Sequence, residues 1–351
     1  MGNVVETIPR QRNTSLDIAR VVAIMAVVMI HVSAAFVMSN ELGSLEFIWG
    51  NIFDSISRIG VPLFVMISGA LMLDEERPFS IKDLFSKRLP QIIFLLIVWS
   101  AIYAVGYKLV IPLVKGESIS IKSFIAGFAS GHYHLWYLYM QIGLYLALPF
   151  LRAIVCKKNK NLVLLYLAIS LLTQFTIPVI QALSLQFGFV AHLITLIRKL
   201  QLGFFNVFVS YFLAGWYIVH VGVSKKIKIA LYVSSILALL MMIVYVNFTK
   251  DYANAYADGI LVFVYSVGVF LALNSVKYKQ GFDDIVSIPS KSSFGIYVVH
   301  AVLLDVIKHL LPKTLVAPLY MLVCWMITFV ISLFATFALS KIPYFKKLVR
   351  M

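Results

Sequence analysis

The stretch LDIARVVAIMAVVMIHVSAAFVM, Leu16 to Met38, decides the fold. It is apolar over a length that matches the roughly 20 residues a helix needs to cross a bilayer core. Three ionisable residues, Asp17, Arg20 and His31, interrupt it. Such groups inside a span are costly, so they are functional candidates by default. Arg20 and His31 are eleven residues apart, close to three helical turns, which puts them on one face about 16 Å apart along the axis. Asp17 falls near the same stripe.

Nine further apolar blocks follow. The expected spans are Leu16 to Met38, Gly60 to Leu73, Pro90 to Pro112, Leu135 to Val155, Leu162 to Ala182, Gly203 to Val221, Ile229 to Val246, Gly259 to Leu273, Phe294 to Leu311 and Ala317 to Leu339. The second is short and draws on the amphipathic lead-in from Ile48 to Ile59. Leu183 to Leu200 is apolar enough to re-enter the membrane. The reading is an all-α polytopic bundle of about ten transmembrane helices. Residues 1–15 form a cytoplasmic tail, 16–342 the membrane domain and 343–351 a second cytoplasmic tail.

Composition agrees. Of 351 residues, 61% are hydrophobic and 13% charged, where soluble domains have roughly 45–50% and about 25%. The net charge of +15 sits in short clusters between apolar blocks rather than along one soluble face, which argues against nucleic acid. Lys and Arg near helix ends stay in the cytoplasm. With the N-terminus inside, the loop and tail cations divide twenty to nine in favour of the cytoplasmic side, and both termini lie there. That places the protein as multi-pass in a bacterial inner membrane. The first block lacks a small-residue cleavage site and reads as a retained helix rather than a signal peptide. Cys156 and Cys324, one in a basic loop and one in an apolar block, give no disulfide framework.

Each polar cluster has a functional and a structural reading. Arg20 can meet a phosphorylated donor while His31, deep in the helix, serves as general base. Equally, Arg20 can snorkel to lipid phosphates with Asp17 as ion partner, leaving His31 a packing residue. Lys87 and Arg88, before Pro90, fit a donor site or simple positive-inside anchoring. His132 to Tyr137 holds two histidines at i and i+2, poor helical metal ligands with no nearby acid or thiol, so no metal is expected. Its aromatics are ordinary interfacial anchors. Tyr297 and His300 share one helical face and either glue helices together or face a polar interior.

Taken in order, these segments resemble the membrane-bound acyltransferase family 3. The likeness rests on Arg20, ten intervening residues and His31; on Arg58-Ile59-Gly60-Val61-Pro62-Leu63-Phe64-Val65-Met66-Ile67-Ser68-Gly69; on His134-Leu135-Trp136-Tyr137-Leu138; and on Ser293-Phe294-Gly295-Ile296-Tyr297-Val298-Val299-His300. It covers the whole chain. One departure is that many members carry Arg-x-x-Arg entering the third helix, whereas Arg88-Leu89-Pro90-Gln91 keeps only the first cation, with Lys87 available as the second.

The resemblance implies ten core helices and acetyl-CoA as cytoplasmic acyl donor, with no bound cofactor. It implies transfer of the acetyl group to a hydroxyl of a surface polysaccharide or lipid-linked glycan. His31 would be the catalytic base with Asp17, and Arg20, Arg88 and Lys87 would bind the donor. His134, Trp136, Tyr297 and His300 would form an acceptor or helix-interior polar site. The chain looks like the stand-alone form, similar to the O-acetyltransferases of enterobacterial common antigen. The competing readings are a transporter or flippase for a glycan lipid or small metabolite, and a scaffold without chemistry. Inverted repeats would favour the carrier, and none is evident between the first and last five spans.

Overall fold

The computed structural model describes residues 13–177, 180, 192, 195–196, 199–256, 259–276, 278, 281–312 and 314–350. Arg10, Arg12, Arg198, Lys277, Lys279, Lys313 and most of the candidate re-entrant stretch from Leu183 to Leu200 therefore lie outside the described residues. The described residues form an all-helical bundle without strands. Seven of its helices are long and apolar enough to cross a membrane.

Helix α1, Thr14–Ser39, starts at an Asn13 cap whose side chain accepts from Leu16 N at 3.2 Å. α2, Leu45–Ser57, and α3, Gly60–Met72, follow with only a short break, so the expected lead-in completes the short second span. α4 runs over Ile81–Lys115 and α5, between the third and fourth expected spans, over Ile121–Ser130. α6 is Trp136–Ile154, and α7, Lys160–Ser170, covers the start of the fifth expected span.

Two expected spans are short helices, α8 at Val207–Val221 and α10 at Ile260–Ser275. The residues from Ser210 to Trp216 in α8 are all buried, so protein rather than lipid surrounds it and no full hydrocarbon crossing is demanded of that segment. α9, Lys225–Thr249, α11, Phe282–Leu310, and α12, Ala317–Leu339, complete the long set. By contrast with α8, α9 and α12 carry many outward apolar side chains, including Phe248 and Phe334. Those faces suit lipid contact.

Small residues set the central crossing. A Cβ on Gly69 of α3 would collide with the Phe212 carbonyl of α8, and one on Gly215 of α8 would collide with the Met66 carbonyl of α3. The two backbones approach through paired glycines, as membrane helices do where van der Waals packing replaces the hydrophobic drive. Side-chain to backbone bonds tie other helices. Trp325 Nε1 donates to Met25 O at 2.8 Å, and Tyr103 Oη donates to Val298 O at 2.8 Å.

The segment beyond α12 is more than a loose tail. Pro343–Val349 forms α13, Val349 is buried, and Trp99 Nε1 donates to Leu348 O at 3.0 Å. Its last turn docks through Val349 where charge alone suggested only solvent. This brings Arg350 back against the bundle, so both ends of the described chain, Asn13 and Arg350, border the same cavity.

Candidate active site

The site is built around α1. Near its start Asp17 is buried, receiving Arg20 Nη1 at 2.8 Å and Ser290 Oγ of α11 at 2.6 Å. Thr14 Oγ1 also donates to Asp283, at the opening of α11. α1 and α11 thus run parallel, clamped at one end by these contacts. At the other end, Lys308 Nζ donates to the backbone carbonyl of His31 at 3.2 Å.

Between the clamps a cavity of about 730 Å³ follows α1 from Asn13 past Asp17 and Arg20 to His31. Arg77, Lys291 and Arg350 join its Asn13 end, with Asp74 and His220 alongside. Phe64, Trp136, Tyr137, Phe294 and Tyr297 supply aromatic wall, and His31 and His134 close the deep end. Its volume falls in the range of small-molecule sites, roughly 300–1,000 Å³. A cationic end grades into an aromatic, imidazole-bearing end, so a long ligand with an anionic head and a reactive tail would be accommodated in one direction.

Three helical segments converge at the deep end. The His31 and His300 rings lie 5.1 Å apart at 23°. His134 meets His300 edge-on at 5.2 Å and its Nδ1 lies 2.9 Å from Nδ1 of His132. Tyr297 Oη donates to the His134 carbonyl at 2.6 Å, locking α11 to the start of α6.

His300 Nδ1 lies 2.7 Å from Tyr297 O and 3.2 Å from Ile296 O. Carbonyls only accept, so Nδ1 carries the proton and Nε2 is left as a lone pair. That Nε2 is buried without a partner among the described residues. Among the described residues the His31 side chain likewise makes no protein hydrogen bond, while its ring borders the cavity.

The residues singled out from sequence divide clearly in space. Arg20, Asp17, His31, His134, Trp136 and Tyr297 line the cavity, and His300 stacks behind His31. Asp17 is fourteen residues from His31, about 21 Å along the axis, and its contacts are with Arg20 and Ser290 rather than with the imidazole. Lys87 and Arg88 close a π-helical turn, Leu84–Arg88, and neither is among the residues that line the cavity. Lys87 is exposed and paired with Asp83 at 2.7 Å.

Arg77, Lys291 and Arg350 entered the sequence reading only among the twenty cytoplasmic cations that set the topology, and His220 was silent. They come from four separate segments, so no local spacing announces them. Arg152 was similarly hidden. It donates to Met72 O at 2.6 Å and to Arg77 O at 2.9 Å, pinning the loop that presents Asp74 and Arg77. Among the described residues no group of His, Cys, Asp or Glu is arranged to hold a metal ion.

An all-helical bundle with seven helices long and apolar enough to cross a membrane, and a cluster of imidazoles at the end of a cation-lined cavity, defines a multi-pass membrane protein. The family is fixed by comparison: residues 13–342 match the model of the acyltransferase 3 family, described as an acyltransferase domain. The chain belongs to that family and is a membrane acyltransferase. Comparison with curated proteins and with solved structures gave no match.

Proposed function

We propose that the protein is an O-acetyltransferase of the bacterial inner membrane that uses cytoplasmic acetyl-CoA to acetylate a hydroxyl of a surface polysaccharide or lipid-linked glycan. The observation that carries the reading is the gradient along one cavity, with Arg77, Lys291, Arg350 and Arg20 toward one end and His31 at the other. Coenzyme A has the matching polarity, with phosphates at one end and the thioester at the end of an extended pantetheine arm. Arginine is suited to the phosphates because its planar fork gives paired hydrogen bonds.

In this scheme His31 takes the proton of the acceptor hydroxyl, and the oxygen attacks the thioester carbonyl carbon. The C–O bond forms, the C–S bond breaks, and the departing thiolate receives the proton from His31. No proton is gained or lost overall. Asp17 holds Arg20 for the donor rather than acting on His31. Positive-inside orientation puts the Asn13 end in the cytoplasm, where acetyl-CoA is found.

The test is transfer of label from radioactive acetyl-CoA in isolated membranes, followed by mass analysis of the glycans. Wild-type membranes acetylate a glycan, and His31→Ala membranes with equal protein abundance do not. Persistence of transfer in His31→Ala would remove His31 as the base, and movement of glycan lipid without any label would replace the enzyme by a carrier.

A further inference from the structure

The side of His31 turned away from the donor cavity carries a second set of polar groups that the transfer scheme leaves unused. Tyr133 meets the His31 ring edge-on at 5.0 Å and is itself 52% exposed. Lys308 reaches the same turn of α1 through its bond to the His31 carbonyl at 3.2 Å. One turn earlier on α11, Asp305 accepts the Tyr107 hydroxyl on Oδ2. The same carboxylate faces the His132 and Lys308 side chains electrostatically. His132 links these groups, stacking on Tyr103 at 4.4 Å and 19° and lying 4.8 Å from Tyr107 and 4.4 Å from Tyr133.

The chemistry of this cluster is specific. A carboxylate oxygen with spare acceptor capacity and an ammonium with spare donors suit a ligand whose groups both donate and accept, which is what hydroxyls do. Aromatic faces carry a negative quadrupole that favours C–H edges, and the exposed ring of Tyr133, backed by His132, supplies such a face. The set matches a polyhydroxylated ring better than an acyl chain or a nucleotide. Its position beside His31, opposite Arg20, is where an acceptor must stand if the donor thioester comes from the cavity.

We infer that Asp305, Lys308, His132 and Tyr133 form the acceptor subsite, binding a pyranose unit of the glycan so that one of its hydroxyls meets His31. Tyr107 orients the Asp305 carboxylate. The inference rests on the acetyltransferase reading and adds to it the face from which the sugar approaches.

The experiment uses the purified full chain in liposomes, radioactive acetyl-CoA, and the lipid-linked glycan fraction extracted from the membranes in which the protein is native, supplied at graded concentration. Asp305→Asn and Lys308→Gln are expected to raise the KM for that glycan fraction at least tenfold while the KM for acetyl-CoA stays within twofold. Tyr133→Leu, at an exposed ring, is the variant to read if either of the others fails to elute as folded protein, and the same split is expected. An unchanged glycan KM in variants that still transfer label, or a parallel rise in the acetyl-CoA KM, overturns the subsite. Failure of the wild-type protein to transfer label or bind acetyl-CoA overturns the acetyltransferase reading itself.

Discussion

The imidazoles of His31 and His300 lie nearly parallel, 5.1 Å between centroids, although they come from helices at opposite ends of the sequence. Of the two, only His300 has a ring nitrogen tied to backbone carbonyls of the described residues. Its Nδ1–H is therefore fixed, and its Nε2 lone pair is buried without a partner among the described residues. A lone pair left without a hydrogen in a buried site costs about 1–3 kcal/mol, a cost that a bound donor group or water would relieve.

That relationship gives the first prediction. His300→Phe keeps a ring against His31 but removes the lone pair, and should lower kcat at least tenfold with the folded-protein yield unchanged. His300→Gln, which returns an acceptor near the Nε2 position, should recover part of the loss. Equal yield and equal kcat in His300→Phe would make the residue a packing element.

A second prediction separates the cations of the cavity from those outside it. Arg350→Ala and Lys291→Ala should each raise the KM for acetyl-CoA several-fold, because both border the cavity. Lys87→Ala should change it less than twofold, because Lys87 is exposed and paired with Asp83, and exposed pairs contribute about 0–1 kcal/mol. Initial rates at varied acetyl-CoA decide the matter.

The third concerns Asp17. Its carboxylate is buried with Arg20 and Ser290 as partners, so Asp17→Asn should release Arg20 from its place beside the cavity. The expected outcome is a raised KM for acetyl-CoA with acceptor KM unchanged. A pure loss of kcat with both KM values intact would mean that Asp17 acts on the chemical step.

Packing supplies the fourth. Gly69→Ala and Gly215→Ala each force a methyl group into a facing backbone carbonyl, and a packed helix pair cannot yield to backbone overlap cheaply. Both should abolish the monodisperse peak in detergent size-exclusion chromatography. Gly143→Ala, where a Cβ meets open space, should elute like wild type.

The fifth addresses the buried pair Asp54 and Arg58. Asp54 is fully buried, takes Ser33 Oγ at 3.1 Å, and holds Arg58, whose guanidinium also lies 4.2 Å from the Tyr256 ring centroid. Arg58→Met strands the carboxylate, a change that costs about 3–5 kcal/mol when a buried pair is broken from one side. The melting temperature in detergent should fall by several degrees. Asp54→Asn combined with Arg58→Met should recover much of it.

The apolar blocks by themselves determined a helical membrane protein, because bilayer thickness fixes how many apolar residues a crossing takes and the backbone must satisfy its own hydrogen bonds there. They also put Arg20 and His31 on one face of one helix, since that depends only on the 3.6-residue turn. The partners of that face could not be read the same way. His300 and Lys308 reach His31 from α11, and Arg77, Lys291 and Arg350 meet at one cavity from three segments, with no sequence spacing to relate them. Lys87 and Arg77 show the same limit from two sides, since both lie in the polar stretch between the second and third apolar blocks and only the fold leaves one exposed and brings the other to the cavity. Periodicity reports which residues share a helix face; which faces meet is decided by the packing of side chains distant in the chain.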